Sequence, residues 1–133
     1  WELRCADILD TPIENASVVL LNFTLRFISV ERRLELLRSI ASGLNPGGVL
    51  LLSEKVRFSD PKTQQDLFDL HHDFKRYNGY SDLEISQKRG SLDNVLIAET
   101  IEEHKARLRE AGFDHCETWL QCFNFVSMLA IKS

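Results

Sequence analysis

The sequence predicts an α/β fold whose sheet is mostly parallel and ends in an antiparallel hairpin, and three observations carry that prediction. Ser17 to Phe23 is a nearly unbroken apolar run of strand length, which suits a strand covered on both faces by helices. Leu34, Leu37, Ile40, Ala41 and Leu44 then recur at helical spacing and form one apolar stripe. Far downstream, Phe113 to Phe123 and Phe125 to Ile131 alternate as two strands about a tight turn at Asn124.

The elements follow in order. Trp1 to Cys5 alternates like a strand that begins without a lead-in, so the start of the chain reads as a cut. Ala6 to Asp10, ahead of Pro12, reads as the loop leaving that strand's C-terminal end, where open α/β sheets bind ligands. Ser17 to Phe23 is expected as a central parallel strand, and a helix is expected from about Val30 to Leu44. Asn45-Pro46-Gly47-Gly48 breaks that helix with a turn, and Val49 to Leu52 makes a second buried strand. Such a strand–helix–strand unit crosses over right-handed.

Leu67, Leu70, His71 and Phe74 mark a helix from Pro61 to about Tyr77 that ends near Asn78-Gly79. Ser81 with Glu84, and Thr100 with Glu103, have the spacing of capping boxes. They predict one helix over Ser81 to Leu92 and another that stops at Gly112 in a C-cap position. No repeat or linker interrupts the chain, so residues 1–133 are expected to form a single domain.

Composition narrows the function. With 44% hydrophobic residues a real core can form, whereas a net charge of -4 supplies no basic footprint for phosphates. Direct nucleic-acid binding is therefore not expected. No apolar run reaches membrane-spanning length and no leader pattern opens the chain, so a cytoplasmic protein with no membrane contact is expected. Three cysteines, Cys5, Cys116 and Cys122, leave one unpaired and predict no structural disulfide. His115 beside Cys116 lacks ligand spacing, and no metal site is expected.

Three places carry signals beyond packing. Asp7-Ile8 has the chemistry to accept from an adenine amino group while a backbone amide meets a ring nitrogen; the alternative is a helix N-cap or a solvated loop. Asn22 is an amide inside an apolar strand, so it either faces a cleft or is satisfied by neighbouring backbone. The stretch His71 to Arg89 is dense in groups that bind anions or move protons. Asp73, Lys75, Arg76 and Lys88 suit a solvated helix face, Arg89 has the planar fork that captures a carboxylate, and His72 and Tyr80 stay open.

These segments resemble one family. Asp7-Ile8, Ile13-Glu14-Asn15-Ala16-Ser17, Leu21-Asn22-Phe23-Thr24-Leu25, Leu44-Asn45-Pro46-Gly47-Gly48, Leu52-Ser53-Glu54-Lys55, the run from His71 to Arg89 and Gln121-Cys122-Phe123-Asn124-Phe125 are similar to the C-terminal two-thirds of the carboxy-S-adenosyl-L-methionine synthases. The resemblance implies a Rossmann-like class I methyltransferase fold, represented by its C-terminal portion. It implies conversion of S-adenosyl-L-methionine and prephenate to carboxy-S-adenosyl-L-methionine and phenylpyruvate, in the service of tRNA wobble-uridine modification, by a homodimer. Asp7 and Ile8 would contact the cofactor's adenine, Asn22 its methionine side, and Arg89 the substrate carboxylate, with no protein base required. The family's glycine-rich cofactor loop has no counterpart, since none of the six glycines forms a GxG. An ordinary S-adenosyl-methionine-dependent methyltransferase and a non-catalytic piece that only self-associates are the competing readings.

Overall fold

The computed structural model describes residues 1–92 and 97–133, with residues 89–92 in backbone alone. Among them four strands form one sheet: β1 (Ala16–Asn22), β2 (Leu44–Lys55), β3 (His115–Cys122) and β4 (Phe125–Ile131), in the spatial order β1-β2-β4-β3. β1 and β2 pair in parallel, and β4 pairs antiparallel with both β2 and β3. Three strands therefore run one way and the last in sequence is inserted against them. Only one of the three pairings is parallel, because a chain that turns straight back at Phe123 and Asn124 enters the sheet antiparallel on both sides.

Among the described residues four α-helices accompany the sheet: α1 (Val30–Gly43), α2 (Pro61–Tyr77), α3 (Asp82–Leu92) and α4 (Ile101–Ala111). Both capping boxes form. Thr100 Oγ1 accepts the Glu103 N–H at 3.1 Å while Glu103 accepts the Thr100 N–H at 2.7 Å. Ser81 and Glu84 exchange the same pair of bonds at the head of α3, at 3.2 and 2.8 Å. Gly112 ends α4 at φ 107°, a left-handed cap that glycine adopts without strain.

The core lies on one face of the sheet. Leu21, Leu50, Leu52, Met128 and Ala130 meet Leu36, Leu37 and Ile40 of α1 and Leu108 and Ala111 of α4. On the opposite face Val18 and Leu20 stay 58% and 60% exposed, joined by Trp119 and Leu120. This corrects the expectation of a central strand covered on both sides, since β1 is an edge of the described sheet. Trp1 to Cys5, expected as a strand, is irregular, with Trp1 and Leu3 fully open to solvent. An extended segment persists only where a neighbour accepts its hydrogen bonds, and alternation over five residues supplies none.

The turn quartet is a second correction. β2 starts at Leu44, and its register steps from Ala16↔Leu44 to Val18↔Val49, so Asn45 to Gly48 bulges out inside the strand. Lys132 holds the bulge: its carbonyl accepts the Gly47 N–H at 2.7 Å, its N–H donates to Gly48 O at 3.0 Å, and its Nζ donates to Leu44 O at 2.6 Å. Gly47 sits at φ 77°, where a side chain would be strained.

Candidate functional site

The parallel strands β1 and β2 end side by side, with Asn22 opposite Ser53. There the chain turns sharply. Phe23 adopts φ 52°, its N–H donates to Ser53 O at 2.8 Å, and Thr24 Oγ1 donates back to Asn22 O at 3.0 Å. A short 3-10 turn, Leu25–Phe27, follows. Asn22 is exposed at this end rather than buried, because it shares the open face of the sheet with Val18 and Leu20 while Leu21 faces the core.

Two buried charges hold the turn. Glu54, 1% exposed, accepts the Leu25 N–H through Oε1 at 2.8 Å. Burial pushes its carboxyl above the usual range, against the hydrogen bonds from the Leu25 and Arg26 amides. Arg33 of α1 holds the other side, donating from Nε to Ile28 O at 3.0 Å and from Nη2 to Arg26 O at 3.3 Å. Its Nη1 pairs with Glu99, which also pairs with Arg107. Burial pushes the Glu99 carboxyl up, but the hydrogen bonds from Arg107 and Arg33 outweigh it and bring it below the ordinary value.

Aromatic rings gather at the same end. Phe23 meets Phe125 edge to face at 5.9 Å, and His71 of α2 lies 5.1 Å from Phe125 and 5.9 Å from Phe123. Burial pulls the His71 imidazole down to about 4, helped by the cations of Lys75 and Lys55, so it is neutral at pH 7. Phe23, Ser53, Leu120, Cys122, Phe125 and Ser127 border a cavity of about 100 Å³. Trp119 Nε1 donates to Ser127 Oγ at 2.9 Å and Ser53 Oγ to Ser127 Oγ at 3.0 Å beside it.

The other predicted residues take separate places. Asp7 is exposed and caps the 3-10 turn Ile8–Asp10, accepting the Leu9 N–H through Oδ1 at 2.9 Å. Its carboxylate and that of Asp10 lie within electrostatic reach of Arg32 on α1. Ile8 packs against the core. Arg89 falls on α3, and its side chain lies outside the described residues. Arg76 pairs with Asp73 at 2.8 Å and with Asp82 at 2.7 Å, tying α2 to α3 along a solvated face. His72 stacks at 4.0 Å on Phe68, and Tyr80 lies 5.1 Å from Lys88 Nζ. Among the described residues no three His, Cys, Asp or Glu side chains converge as metal ligands.

Sequence reasoning passed over Glu54, Arg33 and Glu99. For the first two the signal is present. Glu54 continues the inward parity of Leu50 and Leu52, and Arg33 shares the helical stripe of Leu36, Leu37 and Ile40. A charge on a buried parity needs a partner.

Comparison with known proteins follows the same lines. No family profile matches the chain. It is 62% identical over 130 residues, 98% of its length, to the carboxy-S-adenosyl-L-methionine synthase of Geobacter sp. strain M21. It is 60% identical over 131 residues to that of Hahella chejuensis. It covers 53% of each, so it spans about half the length of these relatives rather than the two-thirds expected. Among solved structures, an O-methyltransferase family 2 protein from Planctomyces limnophilus superposes with TM-score 0.66 at 21% identity, over 96% of this chain and 33% of that one. Human N-acetylserotonin methyltransferase, solved in complex with SAM, gives TM-score 0.66 at 19% identity, over 98% of this chain and 33% of that one. The chain thus has the class I methyltransferase fold, and along nearly its whole length it corresponds in sequence to about half of a carboxy-S-adenosyl-L-methionine synthase.

Proposed function

We propose that the protein from which this chain comes converts S-adenosyl-L-methionine and prephenate to carboxy-S-adenosyl-L-methionine and phenylpyruvate. The observation that carries this reading is the 62% identity sustained over 98% of the chain. S-adenosyl-L-methionine would supply the activated methyl carbon that receives the carboxyl unit. Asp7 suits the adenine because a carboxylate has two oxygens and the Leu9 N–H engages one, Oδ1. Asn22, exposed where the parallel strands end, suits the methionine side. Arg89 would hold the carboxylate that leaves prephenate, a task for which a guanidinium fork is better shaped than an ammonium.

The reading includes a homodimer and a cytoplasmic setting, with the product passed on to tRNA wobble-uridine modification. No described helix is long and apolar enough to cross a membrane. Light scattering at micromolar concentration tests the dimer, and a monomeric mass would remove it. Mass spectrometry of full-length protein incubated with both substrates tests the reaction. Carboxy-S-adenosyl-L-methionine formed only when prephenate is present is the expected result, whereas methyl transfer without prephenate use would favour an ordinary methyltransferase.

A further inference from the structure

The turn that presents Asn22 and Phe23 is joined to a distant stretch of chain through one side chain. Arg33 is 1% exposed on the apolar face of α1, among Leu36, Leu37 and Ile40. Its guanidinium donates to Ile28 O at 3.0 Å, to Arg26 O at 3.3 Å and to Ile97 O at 3.2 Å, and it pairs with Glu99. The first two carbonyls belong to the turn after β1; the third and the carboxylate belong to the stretch that enters α4 and follows α3 in the chain. We propose that Arg33 is a positioning residue that holds the Asn22 turn in register with the Ile97–Glu99 segment, and so sets the geometry of the ligand end of the sheet.

Three features separate this role from packing. An aliphatic side chain would suit the face of α1 on which Arg33 lies, and buried ion pairs are often replaceable by apolar groups without loss of stability. What an aliphatic group cannot do is donate to three main-chain carbonyls at once; a guanidinium, with five N–H groups in a rigid fork, can. The turn is also gripped from its opposite polarity, since Glu54 accepts the Leu25 N–H while Arg33 donates to the carbonyls of Arg26 and Ile28. Finally, Glu99 is anchored independently by Arg107 of α4, with Nη1 to Oε2 at 2.7 Å, so the point to which Arg33 ties the turn is itself fixed.

The inference rests on the reading above for its effect on catalysis, and on the hydrogen bonds alone for its effect on the two segments. The test uses full-length protein with Arg33→Met, which keeps the packing, and Arg33→Lys, which keeps the charge but not the fork. Hydrogen exchange of residues 23–28 and 97–100 is measured beside thermal melts and the kinetics of carboxy-S-adenosyl-L-methionine formation. Both segments should exchange together, about 10-fold faster or more, in folded variants, while the β2–β4 ladder is unchanged. The kcat should fall about 10-fold with a smaller change in KM for S-adenosyl-L-methionine, and Arg33→Lys should recover only part of the loss. Exchange within about 2-fold of wild type in folded Arg33→Met, a response in only one segment, or loss of the fold in both variants would each overturn the proposal. A wild-type protein that forms no product would defeat the functional reading alone, because the exchange comparison would still decide the role of Arg33.

Discussion

The Glu54 carboxylate and the Leu25 amide, 29 residues apart in sequence, are joined by a fully buried hydrogen bond of 2.8 Å. That bond sets a stability prediction with two arms. Glu54→Ala leaves the Leu25 N–H buried and unpaired, at a cost on the order of 2 kcal/mol in urea unfolding. Glu54→Gln keeps an accepting oxygen and removes the buried charge. Because burial raises the folded-state value of this carboxyl, its stabilising contribution is full below the ordinary carboxyl range and is lost as pH rises through the raised value. Glu54→Gln should therefore match or exceed wild-type stability at pH 7, and Glu54→Ala should not.

His104 gives a pH dependence of the opposite sense. It is 3% exposed, and burial pulls its imidazole to about 4, with Glu99 opposing and Arg107 and Arg33 assisting. A base whose folded value is depressed binds its proton more readily when unfolded. Stability is then full above the ordinary imidazole value of 6.5 and is lost as pH falls toward 4. The loss is on the order of 3 kcal/mol across that window. His104→Leu should flatten the decline of melting temperature between pH 7 and pH 4.5, and adding His71→Phe should flatten it further, since His71 is depressed in the same direction.

Gly43 permits a close approach. A Cβ there would lie 2.0 Å from the Ile13 carbonyl oxygen, a backbone atom that cannot swing aside. Gly43→Ala should displace the stretch between the Ile8–Asp10 turn and β1, costing about 1–3 kcal/mol by thermal denaturation. An unchanged melting temperature would mean that the stretch shifts freely.

Arg89 is the most direct test of the proposed chemistry. In full-length protein, Arg89→Ala should weaken prephenate use roughly 10-fold to 150-fold, the loss of one charge-assisted contact, with S-adenosyl-L-methionine binding largely retained. Arg89→Lys should recover only part of it. Product formation within about 2-fold of wild type in both variants would make Arg89 a surface charge.

Much of the fold was legible because the signals are local. Capping boxes at Ser81 and Thr100, the glycine cap at Gly112 and the helical stripe of α1 each specify an end or a face within a few residues. What depended on neighbours was read less well. Ser17 to Phe23 looks central by composition, yet its position in the sheet is set by which strands flank it. Asn45-Pro46-Gly47-Gly48 has turn chemistry, and only its pairing with Lys132 turns it into a bulge. At the site, Asn22 and Asp7 stood out as polar residues in suggestive places, whereas Glu54 and Arg33 are recognised by their depth, which a sequence shows only as parity.

The insertion of β4 between β2 and β3 has a consequence for the order in which the molecule is made. A ribosome delivers β3 before β4, the strand that attaches it to the sheet among the described residues, so β3 waits for that partner until Phe125–Ile131 emerges. The seven residues of β4 then close two ladders at once. Losing those residues would cut the described sheet in its middle rather than trim an edge, and of the two ladders that β4 makes the one with β2 closes the longer stretch of sequence.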